Sequence, residues 1–457
     1  MGLPQSLRPR TGVPPAQPAV TAPSTAASAA NARLASAEMK ALIHGEVMLR
    51  IDAAATAALA RPELAERIEQ LVGEIGRERR LLLNEQEQHE LAGEIVDDMV
   101  GLGPLEPLLR DPGVADILVN GPNQVYVERK GKLELSTVRF RNEAHVLHVA
   151  QRIASAIGRR VDESSPMLDA RLLDGSRVNV VIRPLSLRGP CISIRKFSRS
   201  FIELAELMRL SGAPAALVRA LEIAARCRLN IVISGGTGSG KTTLLNAMSR
   251  MIDPAERIIT IEDAAELQLQ QPHVIPLETR PPNIEGEGRV VQHDLLRNAL
   301  RMRPDRIIIG EIRGGEAFDM LQAMNTGHNG SMSTIHANTP VDALARIENM
   351  VIMGGVQLPS RAIRRQIASA VDLVIQVERM RDGVRRTVQI ADVVGVEEEA
   401  IVLAPLFNYV YLGENLDGTL RGEYVSSAHR PRFLARLDYY GLGAPFLAAL
   451  GAPRLDG

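Results

Sequence analysis

The 457-residue chain is long enough for more than one hydrophobic core, because a single core stops growing at roughly 250–300 residues. A formal net charge of −1 and an aromatic content of 3%, without tryptophan, argue against nucleic-acid binding through bulk charge or base stacking. Two cysteines, Cys191 and Cys227, cannot form a disulfide framework or a four-cysteine zinc site, and we expect two buried thiols in a reducing compartment.

The first 100 residues divide into two parts. Residues 1–35 are dominated by Pro, Ala, Ser and Thr and predict a disordered tail, because they have too few bulky apolar side chains to offset chain entropy. Residues 36–100 predict a helical domain, since apolar residues recur there at about helical spacing, at Leu42, Val47, Leu49, Ile51, Leu64, Ile68, Leu71 and Ile75. No apolar stretch predicts a signal peptide or a membrane span, so we expect a cytoplasmic protein.

Residues 101–200 predict a mixed α/β domain, and residues 201–210 a linker. The domain opens with the breaker-rich segment Gly101–Pro107. Its predicted elements are strands at Ile117–Asn120 and Gln124–Glu128, a helix around Ala144–Ile157, and strands at Val178–Ile182 and Cys191–Lys196.

Residues 211–400 predict a third domain, in which apolar strands alternate with helices. The segments are Ile231–Ser234, Thr242–Met251, Arg257–Glu262, Val291–Arg301, Arg306–Glu311 and Glu316–Met324. This alternation indicates a mostly parallel sheet covered by helices. A hairpin follows, with arms at Leu373–Glu378 and Val384–Val394. Residues 401–457 are a C-terminal extension in which we find no motif.

A phosphate-binding loop follows the predicted strand Ile231–Ser234 and precedes a helix. Its residues satisfy the pattern G-x-x-x-x-G-K-[ST] and are Gly235, Gly236, Thr237, Gly238, Ser239, Gly240, Lys241 and Thr242, with Thr243 next in the helix. The glycines let backbone N–H groups converge on phosphate oxygens, Lys241 reaches the β- and γ-phosphates, and Thr242 offers a hydroxyl to Mg²⁺. We therefore predict binding of ATP with Mg²⁺.

Two acidic groups and two histidines complete the predicted site. Glu311 ends the strand Arg306–Glu311 and is predicted to hold the metal's water shell, although Gly310 and Glu311 stand where an aspartate is usual. Glu262, Asp263 and Glu266 form a cluster of carboxylates that repel one another. Such a cluster indicates a bound cation or a catalytic role. His328 and His336 frame an apparent short strand and are interpreted as phosphate sensors.

The four boxes, in this order, resemble the secretion-ATPase superfamily of pilus, type II and type IV secretion motors. The boxes are the phosphate loop, Ile-Glu-Asp-x-x-Glu-Leu, Ile-Gly-Glu-Ile-Arg-Gly-Gly-Glu and Thr-Gly-His…Ser-Thr-Ile-His-Ala-Asn. Four further segments resemble the branch that drives assembly of tight-adherence (Tad) pili: Gly101–Leu109, Asp116–Gly121, Asp162–Met167 and Asp174–Asn179. The resemblance covers about residues 40–400.

The resemblance implies a RecA-like ATPase domain preceded by a sensory-like (PAS-like) α/β domain, with ATP between the two. It also implies a homohexamer that works at the inner face of a membrane with platform proteins, without nucleic acid. Glu262 is then the general base, Glu311 the Mg²⁺-associated acid and His336 a γ-phosphate contact. Arginines must neutralise charge on the phosphoryl group, and the candidates are Arg177, Arg183, Arg188 and Arg195. Each of these arginines also has an alternative interpretation as a surface residue.

Three alternatives remain at this stage. A type IV secretion ATPase would share every box. A nucleotide-binding scaffold without turnover is disfavoured by the presence of Lys241, Thr242, Glu262 and Glu311. A DNA-translocating motor is disfavoured by the neutral charge and the scarcity of aromatic residues.

Overall fold

The computed structural model describes residues 39–51, 59–129, 131–197, 202–282 and 286–451. The predicted tail, residues 1–35, lies outside these described ranges. The chain divides into two compact units, one ending at Asp111 and the other starting at Pro112, whereas the sequence suggests a boundary after residue 100. Within the described ranges, no helix is both long and apolar enough to cross a bilayer.

The first unit is helical, as predicted. It contains α1 (39–50), α2 (Arg61–Glu78), α3 (Glu85–Val100), a 3₁₀ turn (Gly103–Leu105) and α4 (Glu106–Arg110), so the breaker-rich segment forms helical turns. Leu42 and Leu49 are exposed, while Ile43 and Val47, four residues apart on one face of α1, are fully buried. The spacing therefore identified the helix but not its buried face.

The second unit begins with a six-stranded antiparallel sheet in the order β3-β2-β1-β6-β5-β4. Its elements are β1 (Asp116–Asn120), β2 (Val125–Arg129), β3 (Lys132–Leu135), α5 (Glu143–Ala156), β4 (Met167–Arg171), β5 (Arg177–Val181) and β6 (Cys191–Arg195). Burial alternates along β5, where Val178 and Val180 are buried. The opposite face of the sheet carries polar groups, with Arg177 and Arg195 paired across β5 and β6.

The rest of the second unit is a nine-stranded sheet in the order β15-β14-β13-β12-β7-β11-β10-β8-β9. The strands are β7 (Ile231–Gly235), β8 (Ile258–Glu262), β9 (Val274–Glu278), β10 (Arg306–Ile309), β11 (Met332–Ile335), β12 (Leu373–Arg379), β13 (Arg385–Glu397), β14 (Ala400–Glu414) and β15 (Leu420–Ser426). The helices are α6 (Leu204–Leu210), α7 (Ala215–Arg226), α8 (Lys241–Ser249), α9 (Gln292–Ala299), α10 (Glu316–Asn325), α11 (Pro340–Met353), α12 (Ser360–Ala370), α13 (Leu434–Tyr439) and α14 (Gly443–Ala449).

The strands from β12 to β9 are parallel, and β13, β14 and β15 add to them in antiparallel fashion. This arrangement confirms the predicted RecA-like α/β fold, with the phosphate-loop strand β7 separated from β10 by β11. The predicted hairpin is β12 and β13. Two of the strands in residues 401–457 continue the same sheet, because β14 pairs with β13 and β15 with β14.

Both faces of the parallel strands are covered, which explains their continuous apolar sequences. Ile231 and Ile233 of β7 belong to one buried cluster, whereas Val232 belongs to the other. Cys227 lies in the first cluster, and its burial raises the pKa of its thiol to about 11. Cys191 is only partly buried, which corrects the expectation of two buried thiols.

The buried side chain of Asn230 ties together the starts of three central strands. It stands directly before β7, accepts hydrogen bonds from the backbone N–H groups of Gly330 (2.9 Å) and Ser331 (3.2 Å), and donates to the carbonyl of Ala370 (2.7 Å). Its own backbone N–H donates to the Asp372 carboxylate at 2.9 Å. Gly330 and Ser331 precede β11, and Asp372 precedes β12, so one residue sets the relative positions of β11, β7 and β12.

We expect Asn230→Ala to destabilise the protein by roughly 3–4 kcal/mol, because it leaves several buried backbone groups without partners. The measurement is the shift in the urea denaturation midpoint followed by circular dichroism. Asn298→Ala, at an exposed position of α9, is the matched control and should change stability by less than about 0.5 kcal/mol. Equal midpoints for the two variants would contradict the role given to Asn230.

Candidate active site

The phosphate loop connects the end of β7 to the start of α8, and close packing requires its glycines. Gly238 and Gly240 have positive φ angles of 70° and 95°, which side-chain-bearing residues rarely adopt. A Cβ on Gly235 would lie 2.3 Å from the carbonyl oxygen of Val377 in β12 and 2.6 Å from the Ser239 hydroxyl. The loop therefore curls tightly against β12, and its backbone N–H groups stand at the start of a helix, where anions are favoured.

Lys241, the first residue of α8, is buried and holds the loop from inside. Its Nζ donates to the carbonyl oxygens of Gly235 (3.0 Å) and Gly236 (2.9 Å) and lies 3.4 Å from Nε2 of His336. Burial lowers the pKa of this ammonium, and the nearby Glu311 carboxylate opposes that shift. The cation thus lies at the centre of the loop, where phosphate oxygens would replace the two carbonyls.

Glu262 ends β8 and is 3% exposed. Its Oε1 accepts hydrogen bonds of 2.9 Å from the backbone N–H groups of both Glu266 and Leu267. Burial raises the pKa of the carboxyl to about 7, and these two bonds oppose the shift without cancelling it. A Cβ on Gly310 would lie 2.7 Å from Cγ of Glu262, so the glycine beyond β10 makes room for this side chain. A carboxyl group with this pKa is suited to take a proton near neutral pH.

Glu311, His336 and Arg313 form a connected polar cluster next to Lys241. Oε1 of Glu311 lies 3.0 Å from Nε2 of His336, and its other oxygen pairs with the Arg313 guanidinium. Burial first, and then the Lys241 charge, lower the pKa of His336, which favours a neutral ring at neutral pH. Gln376 of β12 donates to the carbonyls of Ala337 (3.2 Å) and Asn338 (3.0 Å) and thereby fixes the segment that follows His336.

These groups line one cleft of about 790 Å³, which also reaches the antiparallel sheet that precedes the parallel one. From the predicted set it is lined by Thr237, Gly238, Ser239, Gly240, Lys241, Thr242, Thr243, Glu262, Glu311, His336, Arg177 and Arg195. Gly236 lines an adjoining cavity together with Thr237 and His336. The structure therefore gathers most of the predicted residues around the phosphate loop.

The four candidate arginines fall into two groups. Arg177 and Arg195 line the cleft, and Arg177 pairs with Asp169, with Nη2 at 2.6 Å from Oδ2. Arg183 and Arg188 lie outside its lining, and Arg183 faces Glu143 at 3.5 Å. Of the four candidates, only Arg177 and Arg195 line this cleft.

His328 lies outside the cleft lining as well. It precedes β11, whereas His336 follows β11, so the two histidines lie near opposite ends of this strand. Nδ1 of His328 lies 3.3 Å from the Ala323 carbonyl oxygen at the end of α10, a local contact within the turn. The sequence places one histidine before the strand and one after it, which suggested the same role for both. The strand holds them apart, so only His336 lies at the phosphate loop.

The cleft is also lined by residues that the sequence did not indicate, among them Arg171, Arg313, Arg385 and Gln292. Arg313 is part of the Ile-Gly-Glu-Ile-Arg box and could have been found from that box. Arg171 pairs with Glu278 (2.9 Å), and Nε of Arg385 donates to the carbonyl of Gly238 in the phosphate loop (2.9 Å). These contacts join segments far apart in the chain, and no local pattern signals them.

The residues fit a nucleotide with Mg²⁺. The glycine loop and the buried ammonium of Lys241 suit the phosphates. Thr242 follows Lys241 at the start of α8 and lines the same cleft as Glu311. Mg²⁺ usually takes one or two protein ligands, substrate phosphates and water. The hydroxyl of Thr242 would hold the ion, with Glu311 bound through its water shell.

The fold and this cleft define a P-loop nucleotide-binding protein of the α/β class. Residues 98–397, more than half of the chain, match the family described as type II/IV secretion system protein. The chain belongs to this family.

Relatives and solved structures are similar over much of the chain. A putative conjugal transfer protein of Mycobacterium tuberculosis is 43% identical over 303 residues, which cover 64% of this chain and 85% of that protein. The type IV secretion system protein PtlH of Bordetella pertussis is 37% identical over 314 residues, or 63% and 92% of the two chains. The VirB11 ATPase of the Brucella suis type IV secretion system, solved with sulphate, is 31% identical at a TM-score of 0.34, with 63% and 95% covered. The pilus retraction motor PilT with bound ADP is 21% identical at a TM-score of 0.49, with 76% and 89% covered.

The pKa of Glu262 leads to a test of its role as a base. If Glu262 takes the proton of the attacking water, kcat/KM for ATP hydrolysis should rise about tenfold per unit of pH below pH 7 and level off above it. Glu262→Gln should still bind Mg-ATP but lose turnover by roughly 100-fold or more. A steady-state phosphate-release assay across pH 5.5–9 measures both effects. Equal loss of binding and turnover would make Glu262 a structural residue and Glu266 the better candidate.

The same variant should be more stable than the wild type at alkaline pH. A folded-state pKa of about 7, above the ordinary 4.5, means that stability is lost as pH rises between these values. The amide of Glu262→Gln can still accept the two backbone bonds but carries no charge. Thermal denaturation of the nucleotide-free proteins at pH 8 should show a gain of up to about 3 kcal/mol, which shrinks to nothing near pH 4.5.

Proposed function

We propose that the protein is a motor that hydrolyses Mg-ATP and drives a secretion or pilus-assembly machine. The observation that carries this proposal is the buried carboxyl of Glu262, with a pKa of about 7, in the same cleft as the phosphate loop. A scaffold that only binds nucleotide has no need of a buried base, whose burial costs stability. The family match supports the link to secretion.

In this proposal each side chain has one task in the cleft. The phosphate loop and Lys241 hold the β- and γ-phosphates, and Thr242 and Glu311 hold the Mg²⁺ that neutralises phosphate charge. Glu262 accepts a proton from a water, the oxygen of that water bonds to the γ-phosphorus, and the bond between this phosphorus and the bridging oxygen of ADP breaks. Neutral His336, between Lys241 and Glu311, is placed to contact the γ-phosphate.

Arginines on the antiparallel sheet are proposed to complete the charge balance. Arg177 and Arg195 face the cleft from β5 and β6. Arg177 is now held by Asp169, and this pairing raises the pKa of its guanidinium. A nucleotide phosphate would compete with that carboxylate for the same cation, so closure of the cleft would exchange one anion partner for another.

Lys241→Ala tests the hydrolytic function. It should abolish detectable hydrolysis and weaken binding of a fluorescent ATP analogue by at least about tenfold, because it removes the cation at the centre of the phosphate loop. Lys132→Ala, at an exposed position of β3, is the matched control and should behave as the wild type. A wild-type protein without turnover, or a Lys241→Ala protein with normal turnover, would refute the proposed function.

We further propose a closed homohexamer at the cytoplasmic face of the inner membrane, associated with platform proteins. Opening and closing of the cleft produces useful work only if neighbouring subunits are joined in a ring. Mass photometry should show a six-subunit species favoured by a non-hydrolysable ATP analogue, and the hydrolysis rate per subunit should rise with protein concentration. A fully active monomer at micromolar concentration would refute the ring.

The machine served by this motor has two candidates. Tad pilus assembly is favoured by the segments Gly101–Leu109, Asp116–Gly121, Asp162–Met167 and Asp174–Asn179 and by the helical unit that comes before most of the matched region. Type IV secretion is favoured by relatives named for conjugal transfer and type IV secretion. A chromosomal Lys241→Ala strain distinguishes them. Loss of surface pili with normal conjugation or effector export supports the first, and the reverse supports the second.

A further inference from the structure

Gln292, the first residue of α9, has a buried side-chain amide that none of the described residues satisfies. The residue is 5% exposed, and within the described ranges neither Oε1 nor Nε2 has a hydrogen-bond partner. In the described part of the chain Gln271, Gln366 and Gln376 also have a buried unpaired atom, but in each of them it is Oε1 alone. An amide that loses its bonds to water on folding and gains none in return destabilises the fold. Such a group calls for a ligand.

The position of Gln292 indicates what that ligand is. β9 and β10 are both parallel to β8, so the intervening α9 must begin near the edge of the sheet where β8 ends. Glu262 is the last residue of β8. Gln292 lines the same cleft as Glu262, Gly310 and Glu311. The unpaired amide and the buried base thus line the same cleft.

The described residues occupy only part of the hydrogen-bonding capacity of Glu262. Oε1 accepts two backbone N–H groups, so Oε2 is the oxygen that remains to accept a proton from water. A water that gives one hydrogen to Glu262 has a second hydrogen, which needs an acceptor. The carbonyl oxygen of a side-chain amide is such an acceptor. Glutamines orient attacking waters in this manner in other P-loop hydrolases.

We propose that Gln292 is a positioning residue for the attacking water, which it holds together with Glu262. This inference rests on the proposed hydrolysis of ATP. The Gln292 carbonyl accepts one hydrogen of the water, Oε2 of Glu262 accepts the other, and the water oxygen keeps a lone pair directed at the γ-phosphorus. The amide is left unpaired in the nucleotide-free protein because its partner enters with the substrate. The unpaired amide lowers the stability of the nucleotide-free protein, because the same amide must be available to bind the water during the reaction.

Gln292→Met tests this inference, since methionine fills a similar volume without polar atoms. We expect kcat to fall about 10- to 100-fold, with KM changed by less than about threefold, because water positioning acts on the chemical step and not on nucleotide binding. The nucleotide-free variant should melt at the same temperature as the wild type or a few degrees higher, because an unsatisfied amide is replaced by an apolar group. A residue with a structural role would lower the melting temperature.

Gln271→Met is the matched control, since Nε2 of Gln271 is bonded to the Ser249 carbonyl and the residue lies outside the cleft lining. It should lower the melting temperature and leave kcat unchanged. Normal kcat in Gln292→Met, or a drop in its melting temperature like that of the control, would overturn the inference while wild-type turnover keeps the proposed function intact. Wild-type protein without turnover would overturn both. Gln292→Leu serves as a second variant, and failure of both to fold would assign the amide a structural role.

Discussion

The hydrogen bonds of Asn230 are the constraint on which the arrangement of the cleft depends. One buried amide joins the segments that lead into β7, β11 and β12. Parallel strands that start in register also end in register. β7 leads into the phosphate loop, β11 leads into His336, and β12 pairs with the end of β7 at Val377. The distance between Lys241 and His336 is therefore set by contacts at the opposite ends of these strands.

The cleft itself is built from groups that weaken the fold. Glu262 is buried with a raised pKa, Lys241 is buried with a lowered pKa, and the Gln292 amide has no partner among the described residues. Each would be more stable in water, and a phosphate, a metal ion or a water in the cleft would relieve each of them. Natural proteins tolerate such groups where function requires them and gain the lost stability from the core. In this chain the two apolar clusters on the faces of the parallel sheet supply that stability.

Local sequence patterns were sufficient to predict five of the six parallel strands and the phosphate loop and to place Glu262 at a strand end, because a strand buried on both faces is apolar throughout and its polar residues mark its end. They were insufficient where the partner is distant in sequence. β9, β14 and β15 were not predicted, since their burial is irregular and their pairing partners decide their conformation. Likewise, Gln292 was missed because its significance lies in an absent partner within the described ranges, which only the packed structure reveals.

The antiparallel ribbon beside β12 connects the phosphate loop to the helices α11 and α12 by a second route. At one end of β13, Arg385 donates to the carbonyl of Gly238. Beyond its other end, Arg364 of α12 holds the carbonyl of Glu399 and also pairs with Glu348 of α11 (2.9 Å). β13 has 13 residues, so these ends are roughly 40 Å apart along the strand. The ribbon therefore links the phosphate loop, through one hydrogen-bonded strand, to the ion pair that joins α11 and α12.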